Sequence, residues 1–228
     1  MDHLIYQTGF ISLIIQLITC IIGITGIFIP LSLPDKILTN IISIEMVVQF
    51  IEFIFYLWLM FSIYAKKINI TSFRYIDWFI TTPIMLTTII FFFTYQSNLD
   101  KYKDQEGNIT MKEIIKKEYK TMIPILIFNF LMLLFGLLGE IGILNKYISF
   151  ILGTFFFLLS FYSLYKNYVL LSPKNNNLFY FIFIVWAIYG IVYLLPYNSR
   201  NASYNILDIF SKNFYGLFLF YKILQKKK

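Results

Sequence analysis

Long apolar runs separated by short polar breaks fill nearly the whole chain, and each approaches the ~20 residues that a helix needs to cross the hydrocarbon core of a bilayer. The pattern predicts seven helices, over 6–30, 39–65, 72–95, 119–141, 147–168, 177–196 and 202–224. Pro30 and Pro34 punctuate the first break, a brief turn containing Lys67 and Asn69 the second, and polar stretches the others. The longest break, over 96–117, mixes both charge signs. An amphipathic segment, 112–120, is expected to carry the fourth helix beyond the bilayer. The predicted architecture is an all-α membrane protein in which residues 1–228 form a single seven-helix domain.

Composition agrees with the pattern. With 59% hydrophobic and only 14% charged residues, the chain has too little polar surface for a soluble fold of this size. The opening Met-Asp-His-Leu-Ile-Tyr-Gln lacks the basic stretch of a signal peptide, so the first run is expected to be a retained helix. Cys20 is the only cysteine, which excludes an intrachain disulfide and a thiolate metal cluster. The net charge of +7 would suit nucleic acid in a soluble protein, but here the basic residues collect in particular loops and at the C-terminus. Their distribution reports topology, and no nucleic acid partner is expected. One side would hold Lys36, Lys101, Lys103, Lys112, Lys116, Lys117, Lys120, Lys166, Lys174, Lys222, Lys226, Lys227 and Lys228, the other Lys66, Lys67, Arg74, Lys146 and Arg200. The richer side is expected to be cytoplasmic, with the N-terminus outside. Asn69-Ile-Thr71 and Asn201-Ala-Ser203 then read as outward glycosylation sequons.

Charges within spans are costly and usually face a cavity or a partner. Here they are Glu45, Glu52, Arg74, Asp77, Glu140, Asp208 and Lys212. Lys212 lies eight to twelve residues from either end of the seventh helix, ~12 to 18 Å from water at the helical rise. Its stem reaches only ~6 Å, too short to snorkel. Two readings remain open on these grounds alone. Lys212 is either an ion pair with Asp208, one turn earlier on the same face, or an amine that condenses with an aldehyde. For Glu140, near one end of the fourth helix, a subunit contact and an interfacial carboxylate both remain open.

The third span reads Arg74-Tyr75-Ile-Asp77-Trp78-Phe-Ile-Thr81-Thr82-Pro83-Ile-Met85, which closely resembles the microbial rhodopsin signature Arg-Tyr-x-Asp-Trp-x-x-Thr-Thr-Pro. Asp208 and Lys212 repeat that family's Asp-x-x-x-Lys spacing in the seventh span. The resemblance implies all-trans retinal bound to Lys212 as a protonated Schiff base, with Asp77 and Asp208 as counterions and Arg74 compensating their charge. A buried cation needs anions within a few Å to stay charged, and two anions together need a third partner. Thr81, at i+4, is placed to hydrogen-bond the Asp77 carboxylate.

At lower specificity the resemblance covers the other helices. Trp186, Tyr189, Gly190 and Tyr193 look like the family's Trp-x-x-Tyr-Pro-x-x-Trp, with Gly190 and Tyr193 as departures. It implies that Trp78 and Trp186 sandwich the polyene and that Tyr56 and Tyr189 hydrogen-bond Asp208. Asn129, Met132 and Gly136 in the fourth helix, and Phe150, Gly153 and Phe157 in the fifth, fall where the family surrounds the ring. Met85 and Thr82 complete the implied pocket. In any single helix such aromatic stripes are more often ordinary packing.

Function within the family must come from the site. A pump of this type usually carries a proton-donating carboxylate eleven residues after Asp77, and here that position is Thr88, which cannot supply a proton at neutral pH. The second span offers Glu45, Gln49 and Glu52 on one helical stripe. These resemble the glutamates that line the cation path of channelrhodopsins. Ser12, Gln16, Thr19 and Gly23 form a second stripe, and Asn201, Asn205, Asp208 and Lys212 a third; together they would make a hydrated, cation-selective route. The bland alternative is that Glu45 and Glu52 are protonated and glue helices together, while the small polar stripes only let helices approach. Thr82 and Asn129 occupy the positions of the channelrhodopsin gate between the third and fourth helices, without its typical Cys and Asp.

The short chain and these glutamates look most like the group 1 viral rhodopsins of giant viruses, light-gated cation channels reported to be inhibited by calcium. The resemblance implies a multi-pass photoreceptor of a cell membrane, or a host membrane if virus-encoded, and not an enzyme. Its partners would be the lipid bilayer, retinal, and monovalent cations or protons, with homo-oligomers left open. An outward proton pump, a sensor signalling through a partner and a non-retinal seven-helix transporter are the competing readings.

Overall fold

The computed structural model describes residues 3–33, 35–65, 69–103 and 110–227. The expected break at Pro34, the turn at Lys66 and Lys67, and the termini at Met1 and Lys228 lie outside these residues. The chain forms α1 (His3–Ile27), α2 (Ile37–Ala65), α3 (Ile70–Lys103), α4 (Met111–Glu140), α5 (Lys146–Leu164), α6 (Asn176–Tyr193), α7 (Tyr197–Asp208) and α8 (Phe214–Leu224). A π-helical turn, Ile209–Asn213, joins α7 to α8, so the two make one seventh rod. No strand is present among the described residues. Six helices are long and apolar enough to cross a membrane by themselves. The seventh rod is not, because Arg200, Asp208 and Lys212 interrupt it. The protein is a multi-pass membrane protein.

α3 runs past its expected end, and the expected extension of α4 is present. α3 continues to Lys103, well past the predicted end near residue 95, since nothing in Gln96-Ser-Asn-Leu breaks a helix. α4 starts at Met111 because Thr110 caps it: its hydroxyl accepts from the Glu113 amide at 3.3 Å, and the Glu113 carboxylate accepts from the Thr110 amide at 3.1 Å. The first turns of α4 expose Lys112, Lys116, Lys117 and Lys120 and bury Ile114, the predicted amphipathic extension.

The helices follow one another round the bundle, and α7 and α8 return to pack on α1 and α2. Amphipathicity is reversed relative to a soluble bundle. α1 turns Ser12, Gln16, Thr19 and Gly23 inward and leaves Ile11, Leu17, Ile18 and Ile21 exposed. That arrangement suits a solvent of lipid tails, where apolar surface gains nothing by burial and small or polar residues fill helix interfaces. The N-terminal end of the bundle holds a small apolar cluster around Ile5, Tyr56 and Leu59; the larger core runs from the middle to the opposite end.

Gly23 permits the closest approach of α1 to α2, since a Cβ there would collide with the Met46 thioether. Gly23→Leu is therefore expected to destabilise the protein by about 1–3 kcal/mol through overpacking, seen as a lower thermal midpoint in detergent. An unchanged midpoint would mean that Met46 yields freely.

Candidate functional site

The π turn builds the site. Along it Ser211, Lys212 and Asn213 are all buried in succession. Lys212 is 2% exposed. Its Nζ donates to Asp77 Oδ2 at 2.7 Å and lies 3.0 Å from Glu52 Oε1 and 3.9 Å from Asp208 Oδ1. Asp77 and Asp208 flank the amine as expected. Glu52 is closer to it than Asp208, although neither Glu52 oxygen has a hydrogen-bond donor in good geometry.

Asp208 is held on all sides. Tyr56 donates to its Oδ2 and Tyr189 to its Oδ1, each at 2.7 Å, and Arg74 Nη1 pairs with Oδ2 at 3.3 Å. Both expected tyrosine contacts are present. Tyr189 also meets the Ser211 hydroxyl at 2.8 Å. Arg74, fully buried, is fixed further by Asn201 Oδ1 at 3.2 Å, the Asn201 carbonyl at 3.3 Å and a short contact to Asn205 Oδ1. The expected Thr81 contact is corrected: its hydroxyl donates to the Asp77 backbone carbonyl at 2.9 Å, the usual choice for a helical threonine facing i−4. Asp77 Oδ1 is left without a partner. Lys212 and Arg74 thus face three carboxylates inside the membrane, where unpaired charge is most costly.

Beside Lys212 opens a cavity of about 330 Å³. Trp78 and Trp186 line it, as do Thr82, Met85, Tyr189 and Tyr193. Met132 and Gly136 on α4 and Phe150, Gly153 and Phe157 on α5 close its far side, in the expected places. Asn129 stands behind this wall, donating to the Thr82 hydroxyl at 2.8 Å and linking α3 to α4. Tyr75, Ser149, Thr154, Phe183 and Tyr204 also line the cavity, and the sequence pattern had not marked them.

The three polar stripes meet. The Asn213 amide nitrogen, which no motif singled out, lies 2.8 Å from Gln16 Oε1, 2.5 Å from Thr19 Oγ1 and 3.1 Å from Gln49 Oε1, and its two hydrogens serve two of these acceptors at a time. Ser12 donates to the Asn205 carbonyl at 2.7 Å. Gln16 Nε2, Gln49 Nε2, Asn213 Oδ1, Glu45 Oε1 and the Tyr215 hydroxyl are buried without partners, the kind of site that ordered water fills. Glu45 Oε2 accepts from Thr88 at 3.1 Å, so a carboxylate from α2 stands beside the residue where a donor was missing. At the N-terminal end of the bundle Glu140 pairs with Arg200 at 3.0 Å, which makes it an internal contact. Asn201 is fully buried and donates to Thr71 Oγ1 at 2.9 Å, which removes it as a glycosylation acceptor.

The chain is thus a seven-helix membrane bundle with a lysine buried among carboxylates beside an apolar cavity. A model of bacteriorhodopsin-like proteins matches residues 7–226, and the chain belongs to that family. Its structure resembles the crystal structure of viral rhodopsin OLPVRII, with a TM-score of 0.80 at 26% identity over 97% of this chain and 98% of that one. A blue light-absorbing proteorhodopsin from Med12 shares the fold, with a TM-score of 0.73 at 20% identity over 98% of both chains. A green-light absorbing proteorhodopsin from Gamma-proteobacterium EBAC31A08 is 25% identical over 166 residues, 65% of this chain. This match spans 59% of that relative's length.

Members of this family bind retinal as chromophore, and the cavity suits such a group: an apolar slot between two tryptophans that ends on a desolvated amine. Among the described residues Asp208 is the only carboxylate paired with Arg74, whereas Lys212 has three carboxylates near it. Asp208→Asn should therefore destabilise the protein by about 3–5 kcal/mol, as removal of one member of a buried ion pair does. Asp77→Asn should cost less. Thermal denaturation of both variants checks the order, and equal midpoints would contradict it.

Proposed function

We propose that this protein is a light-gated cation channel with retinal attached to Lys212. The observation that carries the reading is the continuous row of buried polar groups between α1, α2, α7 and α8, with Glu52 beside the Lys212 amine and Glu45 farther along the same stripe. Retinal, when bound, supplies light absorption and a change of shape at the Lys212 nitrogen. Asp77 Oδ2, at 2.7 Å, is positioned to take the proton from that nitrogen, and Asp208 is held in place by Tyr56, Tyr189 and Arg74. Asn213 follows Lys212 in the π turn, so motion of the lysine backbone pulls on the Asn213 amide, whose hydrogen bonds tie the seventh rod to α1 and α2 across the row. Breaking them lets water connect the unpartnered amides. One turn beyond Glu45, Thr88 and Tyr215 along their helices stand Ile41, Ile42, Phe92 and Leu219, all buried in one apolar cluster. A dry layer of this kind stops ions until it wets. The Lys/Arg distribution supports an orientation with the N-terminus outside.

One observation favours a second reading. Glu45 at Thr88 puts a carboxyl where a proton pump needs its donor, contributed by α2 in place of α3. An outward proton pump would use Asp77 as acceptor and Glu45 as donor.

The two readings part in voltage clamp. The light-induced current of a channel reverses sign near the cation equilibrium potential, whereas a pump current stays outward at every voltage; a current without reversal would end the channel reading. Lys212→Ala should abolish both the current and the visible band formed with added retinal. Asp77→Asn is expected to red-shift that band, because a lost counterion lets the positive charge spread along the polyene. Glu52→Gln should lower the current or change its ion selectivity, and unchanged currents would take Glu52 out of the path.

A further inference from the structure

The outward face of α4 does not end where the lipid tails do. Ile123, Ile127 and Phe130, each about half exposed, follow one another at helical spacing along a surface that suits hydrocarbon. Ile115 and Tyr119, eight and four residues before Ile123, prolong that column into the first turns and are exposed to a similar extent. Lys112, Lys116 and Lys120 recur at four-residue steps beside the column, Lys117 flanks them, and all four are exposed. The two acids of the segment have other tasks. Glu113 closes the capping box with Thr110, while Glu118 accepts from Thr121 at 3.2 Å and from Tyr168 at 3.4 Å. The outward face is left with an excess of positive charge set against an apolar stripe.

Helical side chains tilt toward the N-terminus of their helix, and the apolar length of α4 lies C-terminal to the lysines. Their stems therefore lead away from the hydrocarbon core, and the ammonium groups reach headgroup level while Ile115 and Tyr119 rest on the acyl boundary. Lys120 Nζ stands 5.9 Å from the centre of the Tyr119 ring, which keeps that cation at the boundary. We propose that the first three turns of α4 bind anionic phospholipid headgroups and recruit them from the adjacent leaflet. From Lys112 to Lys120 the stripe is about 12 Å long at the helical rise, more than a single phosphate can cover, so it fits a charged lipid surface. A cluster of four lysines next to a membrane span attracts acidic lipids by charge, and salt screens the attraction. The inference stands on the membrane bundle alone and is independent of both the chromophore and the channel.

The test reads lipid composition at the segment itself. Cys20→Ser with Ile115→Cys leaves one thiol, on the apolar column, for a fluorescent label. The full chain is then reconstituted into vesicles of phosphatidylcholine and phosphatidylglycerol, with one of the two lipids brominated at a time as quencher. With the lysines in place, phosphatidylglycerol should be favoured at the label by about 5-fold or more, the factor expected from one or two lysines near the surface. Lys112→Gln, Lys116→Gln, Lys117→Gln and Lys120→Gln together should bring the ratio toward one, while arginine at the same four positions should preserve it. Salt at about 1 M, where the screening length is about 3 Å, should erase most of the preference with every lysine present, so the result does not depend on how the substituted chain folds. A ratio near one with the lysines in place overturns the proposal. So does a preference that survives both high salt and the glutamine substitutions, since it would then arise elsewhere on the bundle.

Discussion

Everything at the centre of this protein depends on keeping two cations and three carboxylates inside a medium that tolerates neither alone. The idealised cost of moving one such ion into a low-dielectric interior is of order 20 kcal/mol, and attraction repays it only where further hydrogen bonds complete the geometry. Asp208 has that completion from two tyrosines and an arginine. Asp77 and Glu52 do not; each keeps an oxygen without a partner, and both contact the same amine. The fixed carboxylate and the two loosely held ones divide the work. One is fixed by three partners, and the other two are held mainly by the amine.

Helix packing serves this centre. The seventh rod brings Asp208, Ser211, Lys212 and Asn213 to the interior at and just before its π turn, and α1 and α2 meet that surface with amides and hydroxyls. The result is a bundle whose polar residues lie inside and whose isoleucines and leucines face outward. The chain is built for lipid at every level, from the first apolar run to the buried arginine.

Much of this was legible in the residues. The seven runs, the Arg-Tyr-x-Asp-Trp motif and the Asp-x-x-x-Lys spacing were enough to locate the fold, the amine, its two principal carboxylates and most of the cavity wall, because those features are local or fixed by helical periodicity. What escaped depended on distance in the chain. Asn213 sits next to Lys212, and no motif marks its inward direction at the π turn. Thr81 was given the right neighbour and the wrong atom, since its hydroxyl prefers the carbonyl four residues back. The approach of Glu45 to Thr88 joins residues 43 apart, and no spacing rule reaches across two helices. The pairing of Glu140 with Arg200 was hidden for the same reason.

The reversed amphipathicity of α1 also bears on how the chain assembles. As a lone helix α1 is apolar enough to enter a bilayer, but Ser12 and Gln16 then face lipid without the groups that complete them. Gln16 meets its partner Asn213 only when the last rod arrives, nearly two hundred residues later. Membrane helices insert first and associate afterwards, so the first helix made is the last to be satisfied, and closure of the bundle against it is the step that seals the buried charges from lipid.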